Sequence, residues 1–128
     1  MPLMAISEGL QGRTELLVSE ADTAAALGSG DVPVLGTPRV LALAEAATVA
    51  ALAEELEAGR TSVGTSVSLV HLAPSPVGAR VGATALLCEV DGRRLVFDVT
   101  VVQEGRTVAR GTVERVVVDR GRFLANAG

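Results

Sequence analysis

Residues 37–58 decide the fold, and they read TPRVLALAEAATVAALAEELEA. The segment begins with a threonine, a favoured helix N-cap, followed by a proline, which is favoured at the first helical position. Strong helix formers continue to Ala58, and Gly59 is a natural stop. The sequence therefore predicts a helix of about 20 residues that is apolar on all sides over most of its length and should be buried.

One acid interrupts this apolar helix. Glu45 is the only charged residue between Val40 and Ala53. Burial of a carboxylate is costly unless the group is paired, neutralised or directed at a polar cavity. Two interpretations stay open: a satisfied buried acid, bonded to backbone or to an arginine from a strand, or a functional carboxylate.

The chain after Gly59 is typical of β-strands, predicted over 61–72, 79–90, 93–103 and 106–119. Asp91-Gly92 and Glu104-Gly105 predict tight turns, and 73–78 predicts a longer one. Before the long helix we expect a strand over 12–19, a short helix over 20–27 and a loop over 28–36.

These elements predict one α+β domain that spans residues 1–128. Four consecutive antiparallel strands would form a meander with one face to cover, and the 37–58 helix is the element apolar enough to cover it. A sheet wrapped around one long central helix is the hotdog fold. Such sheets often dimerise edge to edge, so we expect a homodimer and leave open whether dimers pair into a tetramer.

Composition excludes several classes of function. The net charge is −4, and all eleven basic residues are arginines that form no cluster interleaved with aromatics, so nucleic acid is not expected as a partner. Cys88 is the single cysteine, which rules out an intrachain disulfide and a cysteine-rich zinc site. Residues 1–10 do not resemble a secretory signal, and no segment resembles a membrane span. We expect a cytoplasmic protein.

Three residues could form a catalytic site. His71, the only histidine, shares its parity in the 61–72 strand with Val63, Val67 and Leu69 and therefore faces the helix. Thr37 lies eight residues before Glu45, just over two helical turns, so their side chains point to similar sides. A Glu–His pair can activate water or hold a nucleophile. The plainer alternatives are an N-cap role for Thr37 and a packed core histidine; one His and one Glu are too few ligands for a metal.

Two further residues stand out within strands. Gly64 interrupts a strand, which indicates either a β-bulge or close approach of a ligand to the backbone. Arg115 lies among valines, where it either extends outward to solvent or reaches into a pocket.

Several fragments together resemble one known family. They are Thr37 with Glu45, the segment VGT at 63–65 leading to HLAPSPVG at 71–78, VDGRRL at 90–95, GTVER at 111–115, and Arg122-Phe123. In this order and spacing they resemble the hotdog-fold thioesterases of the fluoroacetyl-CoA thioesterase family, over about residues 37–123.

The resemblance implies a thioester hydrolase that cleaves acyl-CoA with a Thr/Glu/His triad, at positions Thr37, Glu45 and His71 of this chain. Glu45 would attack the thioester carbonyl or act as base toward water, His71 would assist proton transfer, and Thr37 would orient the carboxylate or the acyl group. Gly64 and Arg115 match positions near the acyl group. No cofactor is implied, because coenzyme A is part of the substrate, and its pantetheine arm would enter at a dimer interface.

The chain departs from the fluoroacetyl enzyme in residues 28–36, which contain no aromatic residue where that enzyme has an aromatic-rich lid. We therefore expect a short or medium acyl-CoA as substrate rather than fluoroacetyl-CoA specifically. Two alternatives have different functions: a hotdog dimer that binds an acyl-CoA or acyl carrier without turning it over, and a hotdog hydratase, whose usual Asp–His pattern is not visible.

Overall fold

A computed structural model describes residues 6–128. Residues 1–5 lie outside the described range, and they include half of the 1–10 segment that was expected not to be a secretory signal. The elements, in order, are β1 (Gln11–Leu17), a 3₁₀ turn (Glu20–Asp22), α1 (Ala24–Leu27), α2 (Thr37–Leu52), β2 (Arg60–His71), β3 (Arg80–Asp91), β4 (Arg94–Gln103), β5 (Arg106–Asp119) and α3 (Arg120–Ala125). Among the described residues, no helix is long and apolar enough to cross a membrane.

The five strands form one antiparallel sheet in the order β1-β3-β4-β5-β2. The predicted meander of four consecutive strands is wrong at its first step, because β2 pairs with β5 and not with β3. The connection from β2 to β3 is not a hairpin turn. Its Ser75 carbonyl accepts from the N–H of Leu35, and its Gly78 N–H donates to Val18, so the segment crosses to the far side of the sheet. Strand β2 is therefore an edge strand.

The sheet wraps around α2, as predicted. One stripe of α2 is buried, and it includes Val40, Leu43, Ala44, Ala47, Thr48, Ala51 and Leu52. The inner faces of the three central strands complete the core with Val81, Ala83, Ala85, Leu87, Leu95, Phe97, Val99, Val101, Val113 and Val117. Helix and sheet approach most closely at β1, where a Cβ built on Gly12 would overlap the α2 backbone. The small side chains of this chain permit that close packing.

Both ends of α2 differ from the prediction. The N-cap is Gly36, and Thr37 is the first helical residue, so the predicted N-cap role of Thr37 is wrong and its hydroxyl is available elsewhere. The helix ends at Leu52 rather than Ala58. Beyond Leu52 the chain makes turns in which Glu55 N–H donates to the Leu52 carbonyl. The acids after Ala53 would face the negative end of the helix dipole, which disfavours continuation.

A β-bulge changes which residues of β2 face the helix. The register with β5 shifts between Gly64 and Ser66. The extra residue moves the first part of the strand by one position, so every side chain there changes face. Val63 is opposite Val116 on the outer face, and Ser62 is opposite the buried Val117 on the inner face. The predicted parity holds for Val67, Leu69 and His71 but is wrong for Val63.

The remaining elements lie close to their predicted positions. The 20–27 segment is split into a 3₁₀ turn and α1, and the β3–β4 turn consists of Gly92 and Arg93, one residue later than predicted. The Glu104-Gly105 turn is confirmed, with positive φ at both residues, as a type I′ hairpin turn requires. Helix α3 was not predicted.

Candidate active site

Thr37 and His71 form a hydrogen-bonded pair at the start of α2. The Oγ1 of Thr37 lies 2.8 Å from the Nδ1 of His71. Thr37 is in the first turn of the helix and His71 is the last residue of β2, so the two elements bring together residues that are 34 apart in sequence. The threonine is exposed and the imidazole is half-buried.

The second ring nitrogen of His71 constrains the tautomer. Its Nε2 is buried and has no hydrogen-bond partner among residues 6–128. A buried N–H without a partner costs about 1–3 kcal/mol. With the ring proton on Nδ1, Nε2 is an unpartnered acceptor rather than an unpartnered donor, and Nδ1–H donates to the Thr37 oxygen. The hydroxyl proton of Thr37 is left to donate to another group.

A cavity of about 310 Å³ opens beside this pair. Thr37, His71 and Ser29 supply its polar side chains, and its other walls come from the 24–36 segment and the start of the β2–β3 connection. Those walls include Ala24, Val32, Val34, Leu35, Leu72, Ala73 and Pro74. The cavity therefore combines the Thr37–His71 pair and one serine hydroxyl with an aliphatic lining that carries no charge.

Glu45 forms a second cluster further along α2. Its Oε2 accepts a hydrogen bond from Nη1 of Arg115 at 3.3 Å. The Glu45 side chain is 32% exposed, so it is half-buried rather than fully buried, whereas the Arg115 side chain is 8% exposed. Burial lowers the pKa of Arg115, and the neighbouring Glu45 carboxylate opposes that shift. Of the interpretations left open for Glu45, an ion pair with a strand arginine is present.

Arg115 points inward beneath α2 and is held there by Ser62. Its Nε donates to Ser62 Oγ at 2.9 Å and its Nη2 donates to the Ser62 carbonyl at 3.1 Å. Sequence reasoning missed Ser62, because regular alternation places it on the outer face. The bulge at Gly64 was the available signal, since one inserted residue turns Ser62 inward.

Gly64 is both a bulge and a point of close approach. It lies opposite Arg115 in the β2–β5 ladder, next to the register shift. A Cβ built on Gly64 would overlap Oε2 of Glu45. The group that approaches the backbone here is therefore the Glu45 carboxylate itself.

The structure thus brings the five predicted residues together as two clusters. Thr37 is bonded to His71, and Glu45 is bonded to Arg115 beside Gly64. The eight residues from Thr37 to Glu45 correspond to about 12 Å along the helix axis. Among residues 6–128, no hydrogen bond joins the two clusters within one chain.

Comparison with known proteins identifies relatives of this chain. A family model described as fluoroacetyl-CoA-specific thioesterase matches residues 18–121. The fluoroacetyl-CoA thioesterase of Streptantibioticus cattleyicolor is 38% identical over 92 residues, which make up 72% of this chain and 66% of that protein. The match thus spans just under two thirds of that relative's length.

Solved structures agree with the sequence matches. A fluoroacetyl-CoA thioesterase superposes with a TM-score of 0.89 at 31% identity over 96% of both chains. A Thermus thermophilus protein described as a thioesterase superfamily member superposes with a TM-score of 0.88 at 28% identity, over 94% of this chain and 90% of that one. These matches confirm the predicted hotdog fold and the resemblance stated above. With a family model that covers most of its length, the chain belongs to the fluoroacetyl-CoA-specific thioesterase family.

Proposed function

We propose that this protein hydrolyses a short or medium acyl-CoA to the free acid and CoA. The observation that carries the proposal is the 2.8 Å Thr37–His71 bond at the mouth of an aliphatic cavity, in a member of a thioesterase family. A pocket whose walls are mostly apolar and that contains this polar pair suits an acyl chain whose reactive end is a thioester. The single cysteine, Cys88, is a free thiol, which fits a cytoplasmic location.

Each residue of the proposed triad has a role in this reaction. A water oxygen bonds to the thioester carbonyl carbon, the C–S bond breaks, and the proton from water ends on the CoA sulfur. Glu45 provides the carboxylate that activates the water or attacks the carbonyl first. The Thr37 hydroxyl donates to the acyl oxygen, and His71 holds that hydroxyl in place and assists proton transfer.

We propose that the active unit is a homodimer in which each site takes residues from two subunits. Glu45 is about 12 Å along α2 from Thr37 in its own chain. Strand β2 leaves one edge unpaired in the sheet, and α2 exposes the apolar residues Ala42, Ala46 and Val49 beside Glu45. A second copy that pairs along β2 would cover this stripe and bring the two clusters of neighbouring chains together.

Residues 28–36 bear on which acyl group is bound. The Streptantibioticus cattleyicolor relative and the fluoroacetyl-CoA thioesterase structure are described as acting on fluoroacetyl-CoA. In this chain the segment contributes Ser29, Val32, Val34, Leu35 and Gly36 to the cavity and no aromatic side chain. An aliphatic wall provides apolar contact for a hydrocarbon chain, so we propose an unfluorinated acyl group.

A panel of acyl-CoAs tests this proposal. Release of the CoA thiol is measured for acetyl- through decanoyl-CoA, with fluoroacetyl- and phenylacetyl-CoA alongside. We expect turnover of at least one straight-chain substrate above the rate for fluoroacetyl-CoA. If no thioester is hydrolysed while several raise the melting temperature, the protein is an acyl-CoA-binding module and the hydrolase proposal is wrong.

Gly64→Ala tests the position of the carboxylate. The added methyl group would occupy the space of Glu45 Oε2 and displace that carboxylate from Arg115. A displacement of this size costs about 100-fold in kcat/KM. Gly82→Ala is the matched control, because a Cβ at this strand glycine meets only ordinary contacts of 3.5–4.0 Å. Equal activity of the two variants would contradict the role given to Glu45.

A further inference from the structure

A groove of about 170 Å³ lies at the end of β5, away from the aliphatic cavity. It is formed by the last residues of β5, by the β3–β4 turn and by α3. The residues that line it are Arg93, Val118, Asp119, Arg122, Phe123 and Asn126. None of these residues has a part in the proposed triad.

The groove is a cationic region on an acidic protein. Arg93 and Arg122 line it and Arg120 is adjacent, in a chain whose net charge is −4. Within residues 6–128, none of these three guanidinium groups forms an ion pair. Asp119 is the one acid in the groove; its Oδ1 accepts the backbone N–H of Arg122 at 2.9 Å and caps α3, and its single negative charge leaves the lining net positive beside Arg93 and Arg122. Two guanidinium groups thus remain available to an anion.

An exposed aromatic ring completes the groove. Phe123 is one of only two phenylalanines in the chain, and it is 42% exposed. Planar guanidinium groups bind phosphate oxygens in pairs, and an exposed ring stacks on a nucleobase. The combination is suited to a ligand that carries both phosphates and a purine.

The groove lies on the same strand as Arg115 of the proposed site. Asp119 follows Arg115 by four residues on β5, which corresponds to about 13 Å along the strand. The pantetheine arm of CoA separates its reactive sulfur from its nucleotide. We infer that this groove binds the 3′-phospho-ADP end of the CoA substrate through Arg93, Arg122 and Phe123, an inference that rests on the proposed function.

A competing surface has arginines but a different balance of charge. A cavity of about 370 Å³ on the outer face of β1 and β3 is lined by Arg13 and Arg80. Glu15 and Glu104 lie in the same wall, and no aromatic residue does. Because acids match the positive charges there, this second cavity is the weaker candidate for a polyphosphate. Its Arg80 therefore provides a control substitution.

The test compares two thioesters with the same acyl group, one an acyl-CoA and the other an acyl-pantetheine that lacks the nucleotide. For Arg122→Ala and Phe123→Ala we expect KM for the acyl-CoA to rise about tenfold with kcat retained, as for loss of a charge-assisted bond or a stacked base. KM for the acyl-pantetheine should not change. Arg80→Ala is the matched control and should leave both KM values unchanged.

Parallel changes in the two KM values, or no change in either, would overturn the inference, as would a change of oligomeric state in the groove variants. Calorimetric titration with adenosine 3′,5′-bisphosphate needs no catalysis. If the wild type binds this nucleotide and Arg122→Ala does not, the inferred role of the groove is supported, even where no thioester is hydrolysed. Failure to hydrolyse any thioester would contradict the proposed function alone. If Arg122→Ala binds the nucleotide as tightly as the wild type, the inference that this groove binds it is wrong.

Discussion

Glu45→Gln is expected to lower kcat for the best acyl-CoA by about 10²–10⁴-fold, the range for loss of a general base. The amide has nearly the shape of the carboxylate but neither deprotonates water nor attacks a carbonyl. Because the substitution changes charge rather than size, KM should change much less than kcat. Initial rates of thiol release over a range of substrate concentrations provide both constants.

A matched control separates catalysis from loss of an ion pair. Glu114 resembles Glu45 in that its side chain is 32% exposed and it pairs with an arginine, Arg94, at 2.7 Å. It differs in position, because Glu114 lies on the outer face of the sheet, opposite Val96 in the ladder between β4 and β5. Glu114→Gln should therefore leave kcat unchanged, and an equal loss in both variants would show that the effect of Glu45→Gln arises from stability.

Mixing two inactive variants tests whether the site is shared between subunits. In a heterodimer of Glu45→Gln and His71→Asn chains, a shared site leaves one of the two sites with both native residues. Random mixing should then restore about a quarter of wild-type turnover, since half of the dimers are mixed and half of their sites are intact. Activity that stays at the level of the separate variants would place Glu45 and His71 in the same subunit's site.

The sequence predicted the central helix and all five strands because each element had a local signal. The helix had its run of helix formers after Thr37, and the hairpins had Gly92 and the Glu104-Gly105 pair. The prediction that failed was the pairing of strands that are distant in sequence. Hairpins join strands that are adjacent in sequence, and no local signal indicated that β2 leaves β3 and pairs with β5 at the edge.

The sequence predicted the residues of the site but did not predict that they form two separate clusters. Glu45 and His71 were conspicuous because each is chemically out of place, one on an apolar helix and the other as the sole histidine. Ser62 was missed, since a one-residue bulge inverts the parity on which its placement depended. Periodicity alone does not locate a bulge, and the sequence signal for this one was Gly64, which interrupts the strand.

The largest effect on stability is expected from substitution of one of the two phenylalanines, which are the only aromatic residues of the chain. Phe97 is fully buried in β4, the middle strand of the sheet, with the buried Leu87 and Val113 beside it in the flanking strands. Phe97→Ala should lower the free energy of unfolding by about 3–5 kcal/mol, because it removes apolar contact and leaves a cavity. A loss of this size is a large part of the stability of an ordinary domain, about 5–15 kcal/mol.

Urea denaturation at one fixed protein concentration measures the loss, since association of subunits would otherwise shift the midpoint. Phe123→Ala removes the same ring from a half-exposed position in α3, so it should cost well under 1 kcal/mol. The core around Phe97 otherwise consists of valine, leucine and alanine, which are too short to fill the space of a lost ring. Equal losses from the two phenylalanines would contradict the placement of Phe97 in the core. A large loss from Phe97→Ala alone would show that this one ring fills a volume that no neighbouring aliphatic side chain replaces.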